Sequence, residues 1–163
     1  MSESDEEIRN LYFAIGYIII KWSFIDAALD FAVSTIYTDC GGNALREQMP
    51  KFLKDKNKFI VDAVNKIPEL QSFKKKAENI TGRVINIKDL REDFAHSVLT
   101  NTTHSNGVYR FVRLDAKEHN HGMKIWEFDV RNFQRMSDTL EKLAKDAQEF
   151  AKSLELAFHN VDS

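Results

Sequence analysis

Apolar positions recur at helical spacing through most of this chain. Over about Asp5 to Tyr37, Ile8, Ile15, Trp22, Leu29 and Ile36 fall seven apart, and Leu11, Ile18, Ile25 and Ala32 fill the interleaved row. So regular a stripe predicts one long helix. A second apolar row, Phe13, Tyr17, Ile20, Phe24 and Phe31, follows another face. A helix that is apolar on two sides belongs at the centre of a bundle or against a partner chain. Cys40-Gly41-Gly42 ends it, because glycine accepts the left-handed dihedrals that come after a helix. A shorter helix is predicted over Lys51 to Lys66 after Pro50, with Leu53, Ile60 and Ile67 in line.

Pro68 suits the first turn of a third helix, where its missing N–H is not needed. That helix is expected to reach about Thr100, with Leu70, Phe73, Ala77, Ile80, Val84, Ile87, Phe94 and Val98 on its stripe. The pattern then changes. Val108 to Ala116 and Met123 to Asp129 are rich in β-branched and aromatic residues and flank a polar turn, so they read as a β-hairpin. Asp129 can cap a last helix over about Val130 to Asn160, striped by Phe133, Met136, Leu140, Leu143, Ala147, Phe150 and Leu154. The expected fold is all-α, a four-helix bundle forming one domain over residues 1–163, with a hairpin inserted at about 107–129.

Composition narrows the class without changing the picture. A chain of 163 residues, 43% apolar and 29% charged, has the usage of an ordinary globular domain. Only 6 glycines and 2 prolines interrupt it, which favours long helices. The single cysteine, Cys40, excludes a disulfide framework and points to an inert thiol in a reducing cytoplasm. The N-terminal MSESDEE is acidic where a signal peptide needs positive charge. The apolar run from Leu11 to Ile20 is ten residues, short of the roughly 20 that span a bilayer, so no membrane association is expected. The net charge of −2 is unevenly spread: Lys51 to Lys88 carries +6 and the remainder −8, a pattern that suits either a solvated helix face or a phosphate track.

Phosphate-cradling glycine loops, a nucleophile elbow, H-E-x-x-H and paired E-x-x-H motifs are all absent from the sequence, so no cofactor is expected. His119 and His121 in the hairpin turn, with His104 upstream, form the one metal-like grouping, and histidines in a polar turn read first as solvated. The anomaly lies on the third helix, whose row Leu70, Ala77, Val84, Arg91, Val98 puts a guanidinium where the stripe calls for hydrocarbon. A buried arginine must meet an acid, a phosphate or an interface, and Asp26 is one candidate acid. His96 follows five residues later, roughly 140° around the axis. One straight helix does not aim both at a small target, but two copies of it across a dimer axis can.

An arginine followed within four to six residues by a histidine, late in a helix of a small helical domain, resembles the HEPN family. Trp22-Ser-Phe-Ile-Asp26 on the first helix and Lys56 on the second are also similar to bacterial members. The resemblance implies a metal-independent endoribonuclease of the toxin or phage-defence kind, active as a homodimer, with RNA as substrate and a neutralising partner protein. It implies His96 as the acid–base residue and Arg91 as the phosphate-contacting cation. Glu92 or Asp93, four and three residues before His96, can orient the imidazole, and Asp26 and Lys56 support the site. Glu92 departs from the Asn or Asp common after the family's arginine, and Val98 stands where a tyrosine is common. The alternative implied is a non-catalytic HEPN-like dimer that binds protein, nucleotide or RNA.

Overall fold

The computed structural model describes residues 3–100, 107–114 and 122–159. His104, His119 and His121 lie outside them. Four α-helices stand among the described residues: α1 (Glu3–Asp39), α2 (Leu53–Lys66), α3 (Lys74–His96) and α4 (Phe133–Phe158). Each periodic stripe became a helix, with corrections at the ends. Pro68–Phe73 forms a 3₁₀ segment ahead of α3, and α3 stops at His96 rather than near Thr100. The residues assigned to its last turn instead form a strand, β1 (Val98–Leu99), so Val98 leaves the apolar stripe and is exposed. β1 pairs with β2 (Val108–Leu114), and β2 with β3 (Met123–Asp129), in an antiparallel sheet of order β1-β2-β3. The fold is therefore mostly helical with a three-stranded sheet rather than all-α with a bare hairpin. Asp129 caps a 3₁₀ turn, Val130–Asn132, rather than α4 itself, which begins only at Phe133; its carboxylate accepts from the Arg131 N–H at 2.9 Å.

The chain gathers into two compact units, residues 1–20 with 88–140, and residues 21–87 with 141–163. In the first, Phe13 and Tyr17 of α1 meet Phe133 edge-on, at 5.9 and 5.5 Å between ring centroids. Tyr109 of β2 is fully buried and donates its hydroxyl to the Glu7 carbonyl at 2.9 Å, so the sheet is tied to α1 by a bond that needs no exposed group.

In the second unit, Ile25, Leu29, Ala32 and Ile36 of α1 are buried, as are Ile60 and Val64 of α2, Leu70, Ala77, Ile80 and Val84 ahead of and along α3, and Leu143, Ala147, Phe150 and Leu154 of α4. Asn57 buries its amide with no hydrogen-bond partner among the described residues, at a cost of about 1–3 kcal/mol. The corner after α1 depends on two glycines. Gly41 takes φ 74°, and a Cβ on Gly42 would stand 2.6 Å from the Ile36 carbonyl oxygen and 2.8 Å from the Phe59 ring.

Two expectations for α1 change. Its second apolar row faces outward, with Phe13, Ile20, Phe24 and Phe31 all exposed. By length and composition, Asp5–Asp39 is also long and apolar enough to cross a membrane, because the lone Lys21 that ends the ten-residue run does not end the helix. A core helix has the same composition, and Leu11, Ile18, Ile25 and Ala32 of this helix are wholly buried inside the chain.

Gly42→Ala should lower stability by about 1–3 kcal/mol, since backbone and an aromatic ring must both yield. Gly82→Ala, in the interior of α3 with open space around it, should raise stability by about 0.5–1 kcal/mol. Urea midpoints at unchanged slope measure both.

Candidate functional site

The end of α3 belongs to the first unit, and three residues fix its roll. Asp93 is only 8% exposed and accepts from Lys124 Nζ at 2.8 and 2.9 Å, while Arg113 Nη1 lies 3.1 Å from its Oδ1. Phe94 is buried with its ring edge-on to Phe111, Trp126 and Phe128, at 5.7, 4.9 and 5.0 Å. Ser97 comes directly after the helix and its Oγ accepts the Trp126 indole N–H at 2.9 Å. Trp126 in turn stacks on Phe111 at 4.6 Å and 14°. Positions 93, 94 and 97 are a three–four helical stripe, so this turn presents one face to the sheet.

The opposite face is thereby settled. Arg91, Glu92, Ala95 and His96 are exposed, and among the described residues neither Arg91 nor His96 makes an ion pair or hydrogen bond. The expectation that Arg91 occupies a buried slot fails. Val84 and Phe94 are ten residues apart, about 80° around the axis, so the buried face rotates along α3 and leaves Arg91 outside it. Asp26 is not its partner either. Nor does Asp93 orient His96, because it is engaged by two cations of the sheet. Glu92, one turn before His96 on the exposed face, keeps that possibility. Arg91 and His96 remain five residues apart, about 7.5 Å along the helix and 140° around it, so one copy alone does not converge them.

Asp26 and Lys56 come together in the second unit. Lys56 is 4% exposed and its ammonium lies 2.9 Å from Asp26 and 2.6 Å from Asp30, a second carboxylate that the sequence pattern did not single out. Asp30 lies one helical turn after Asp26, the spacing that could have revealed it. Burial opposes the charge on Lys56, but its hydrogen bonds to Asp30 and Asp26 prevail and raise its pKa. The stability it contributes is therefore complete below lysine's ordinary value of about 10.4 and fades as pH rises beyond it. This cluster is a structural tie. The basic stretch is likewise engaged by neighbours: Lys58 pairs with Asp62, Lys74 with Glu78, Lys76 with Glu149 and Arg83 with Asp146. No group of His, Cys, Asp or Glu among the described residues is arranged to hold a metal.

Cys40 is half-buried. Burial, and then the negative charges of Asp39 and Glu69, push its thiol up to about 11. No protein-family model matches the chain, and comparison with curated proteins and with solved structures finds no match.

Asp93→Asn should cost about 1.5–3 kcal/mol by weakening two charged hydrogen bonds, whereas exposed, unpaired Arg91→Ala should stay within about 0.5 kcal/mol in the same urea titration. At pH 8 the Cys40 thiol should alkylate about a hundredfold more slowly than one with the ordinary value of 9.0, and the rate should climb tenfold per pH unit up to about 11. Iodoacetamide labelling followed by mass spectrometry reads that slope.

Proposed function

We propose that this chain is a HEPN-type, metal-independent endoribonuclease of the cytoplasm, working as a homodimer in which Arg91 and His96 of two copies form one site. One observation supports the reading above others. Arg91 is a guanidinium with no carboxylate partner among the described residues, and the exposed imidazole of His96 stands within two turns of it on α3. Arg113 and Arg83, which tie elements of the fold together, are each paired with a carboxylate. An unpaired one on a turn whose other face is pinned to a sheet is placed to receive an anion from outside.

The chemistry asks little more. One imidazole takes the proton of a ribose 2′-hydroxyl, and the 2′-oxygen attacks the adjacent phosphorus. The bond from phosphorus to the 5′-oxygen breaks as the second copy's imidazolium gives that oxygen a proton, leaving a cyclic phosphate and a 5′-hydroxyl. The Arg91 guanidinium holds the non-bridging oxygens with two N–H bonds as charge builds there. Histidine, a side chain able both to take and to give a proton near neutral pH, supplies both proton transfers. Release of such an activity inside a cell calls for a neutralising partner protein.

The rival, a non-catalytic interaction module, is favoured by the outward apolar row of α1. Purified protein should cleave a panel of single-stranded RNAs in EDTA. His96→Ala should lose at least a hundredfold of that rate with its helical spectrum intact, and Arg91→Ala should lose rate with weaker RNA binding. Cleavage that persists in His96→Ala, or disappears with EDTA, rules the mechanism out; no cleavage by the parent protein favours the rival.

A further inference from the structure

In the second unit, α1 and α4 run side by side in the same direction. Lys21 lies 3.4 Å from Glu141 at one end and Asp39 3.6 Å from His159 at the other, and both pairs are 120 residues apart in sequence. The two helices therefore end together, and a groove of about 690 Å³ lies open between their C-terminal halves. That volume is in the range of small-molecule sites. Its two ends differ in chemistry. At one, Phe24 and Phe31 stand two turns apart, about 10.5 Å along the axis, with Ala27 and Ala28 between them and Ala151 on α4. The alanines leave room there for an apolar ring or chain, and Phe31, 71% exposed, offers it an aromatic face.

The other end is polar and negative. Asp39 and Glu155 line it, with the Thr38 hydroxyl 2.8 Å from the Asp39 carboxylate. Asp39 is the last residue of α1, where the helix dipole disfavours an anion, and neither α1 nor α4 has a basic residue in its last turn. Each helix end adds the equivalent of about half a negative charge, so two helix ends and two carboxylates converge on one place. Lys152 also lines the groove, one turn before Glu155 and nearer the apolar end, and offsets only part of that charge. We propose that the groove binds a small organic cation, a primary amine on an aromatic or aliphatic body, with the ammonium between Asp39 and Glu155 and the body over Ala27, Ala28 and Ala151. The three N–H donors of the ammonium meet the carboxylates, the Thr38 hydroxyl and the last carbonyls of the helices, which have no partner within the helix. From Phe31 to Asp39 the helix rises about 12 Å, the span of a ring and a short chain. A metal ion is not matched, since no group of His, Cys, Asp or Glu among the described residues is arranged to hold one. An anion would find Lys152 and His159 but would face both carboxylates and both helix ends.

The inference is independent of the reading of Arg91 and His96, which lie in the other unit, so each can fail without the other. Isothermal titration calorimetry of the full chain with phenylbutylamine tests it. Phenylbutyrate, which reverses the charge, and butylamine, which lacks the ring, are the controls. Phenylbutylamine should bind with a Kd below about 1 mM, and each control about tenfold more weakly. Backbone amide shifts on adding the amine should gather in residues 24–39 and 148–159. Asp39→Asn and Glu155→Gln should each weaken binding about fivefold with the helical spectrum unchanged. Ala27→Trp, at an exposed position, should fill the apolar end and abolish binding, and Lys152→Ala should tighten it by removing a like charge. Absence of binding at about 10 mM amine overturns the inference. So does either control bound as tightly as the amine, amide shifts gathered elsewhere, or an affinity unchanged in both carboxylate variants.

Discussion

A carboxylate held between a guanidinium and an ammonium decides which side of α3 meets the solvent. Asp93 is the buried acid of the helix's last turns, and its two cations come from neighbouring strands, Arg113 on β2 and Lys124 on β3, at positions paired across the ladder. Removing a buried charge from water is favourable only when its partners and hydrogen bonds are complete, and here three short contacts complete it. Phe94 adds an aromatic clasp that tolerates little rotation. Once that turn is locked, helical geometry alone dictates the exposure of Arg91, Glu92 and His96.

Much of the fold was legible because its stripes are long. The buried rows of α1 and α4 carry enough apolar positions that local propensity and burial agree. The end of α3 was not, because a seven-residue row assumes a straight continuation of one buried face. That face rotates toward the sheet between Val84 and Phe94, so the position that looked reserved for hydrocarbon holds an exposed arginine, and the nearby Asp93 goes inward. β1 was hidden for a related reason: two residues are too few to show alternation, and their pairing with Val112 and Phe111 is a long-range choice. Asp26 and Lys56 were legible as chemistry-bearing residues, but their meeting across a sequence separation of 30, with Asp30 joining them, is a tertiary fact.

Charge is distributed on similar lines. The stretch from Lys51 to Lys88 looked like a basic track, yet half of its cations are tied to carboxylates in the second unit, leaving little for a polyanion to follow. Arg91 also lacks such a tie among the described residues, and an exposed imidazole follows it on the same turns of helix. The proposed chemistry therefore rests on that cation and its neighbouring imidazole rather than on a field. In that reading, convergence of the two calls for a second copy.

The tryptophans carry a practical consequence. The chain has two, and they fall on opposite sides of the division between units: Trp126 lies stacked on Phe111 in the first, and Trp22 is buried on α1 in the second. Each unit thus contains its own intrinsic fluorophore. Replacing either indole by phenylalanine leaves emission from the other alone, so melting of the sheet-bearing half and of the helical half can be followed by separate optical signals in one unlabelled protein.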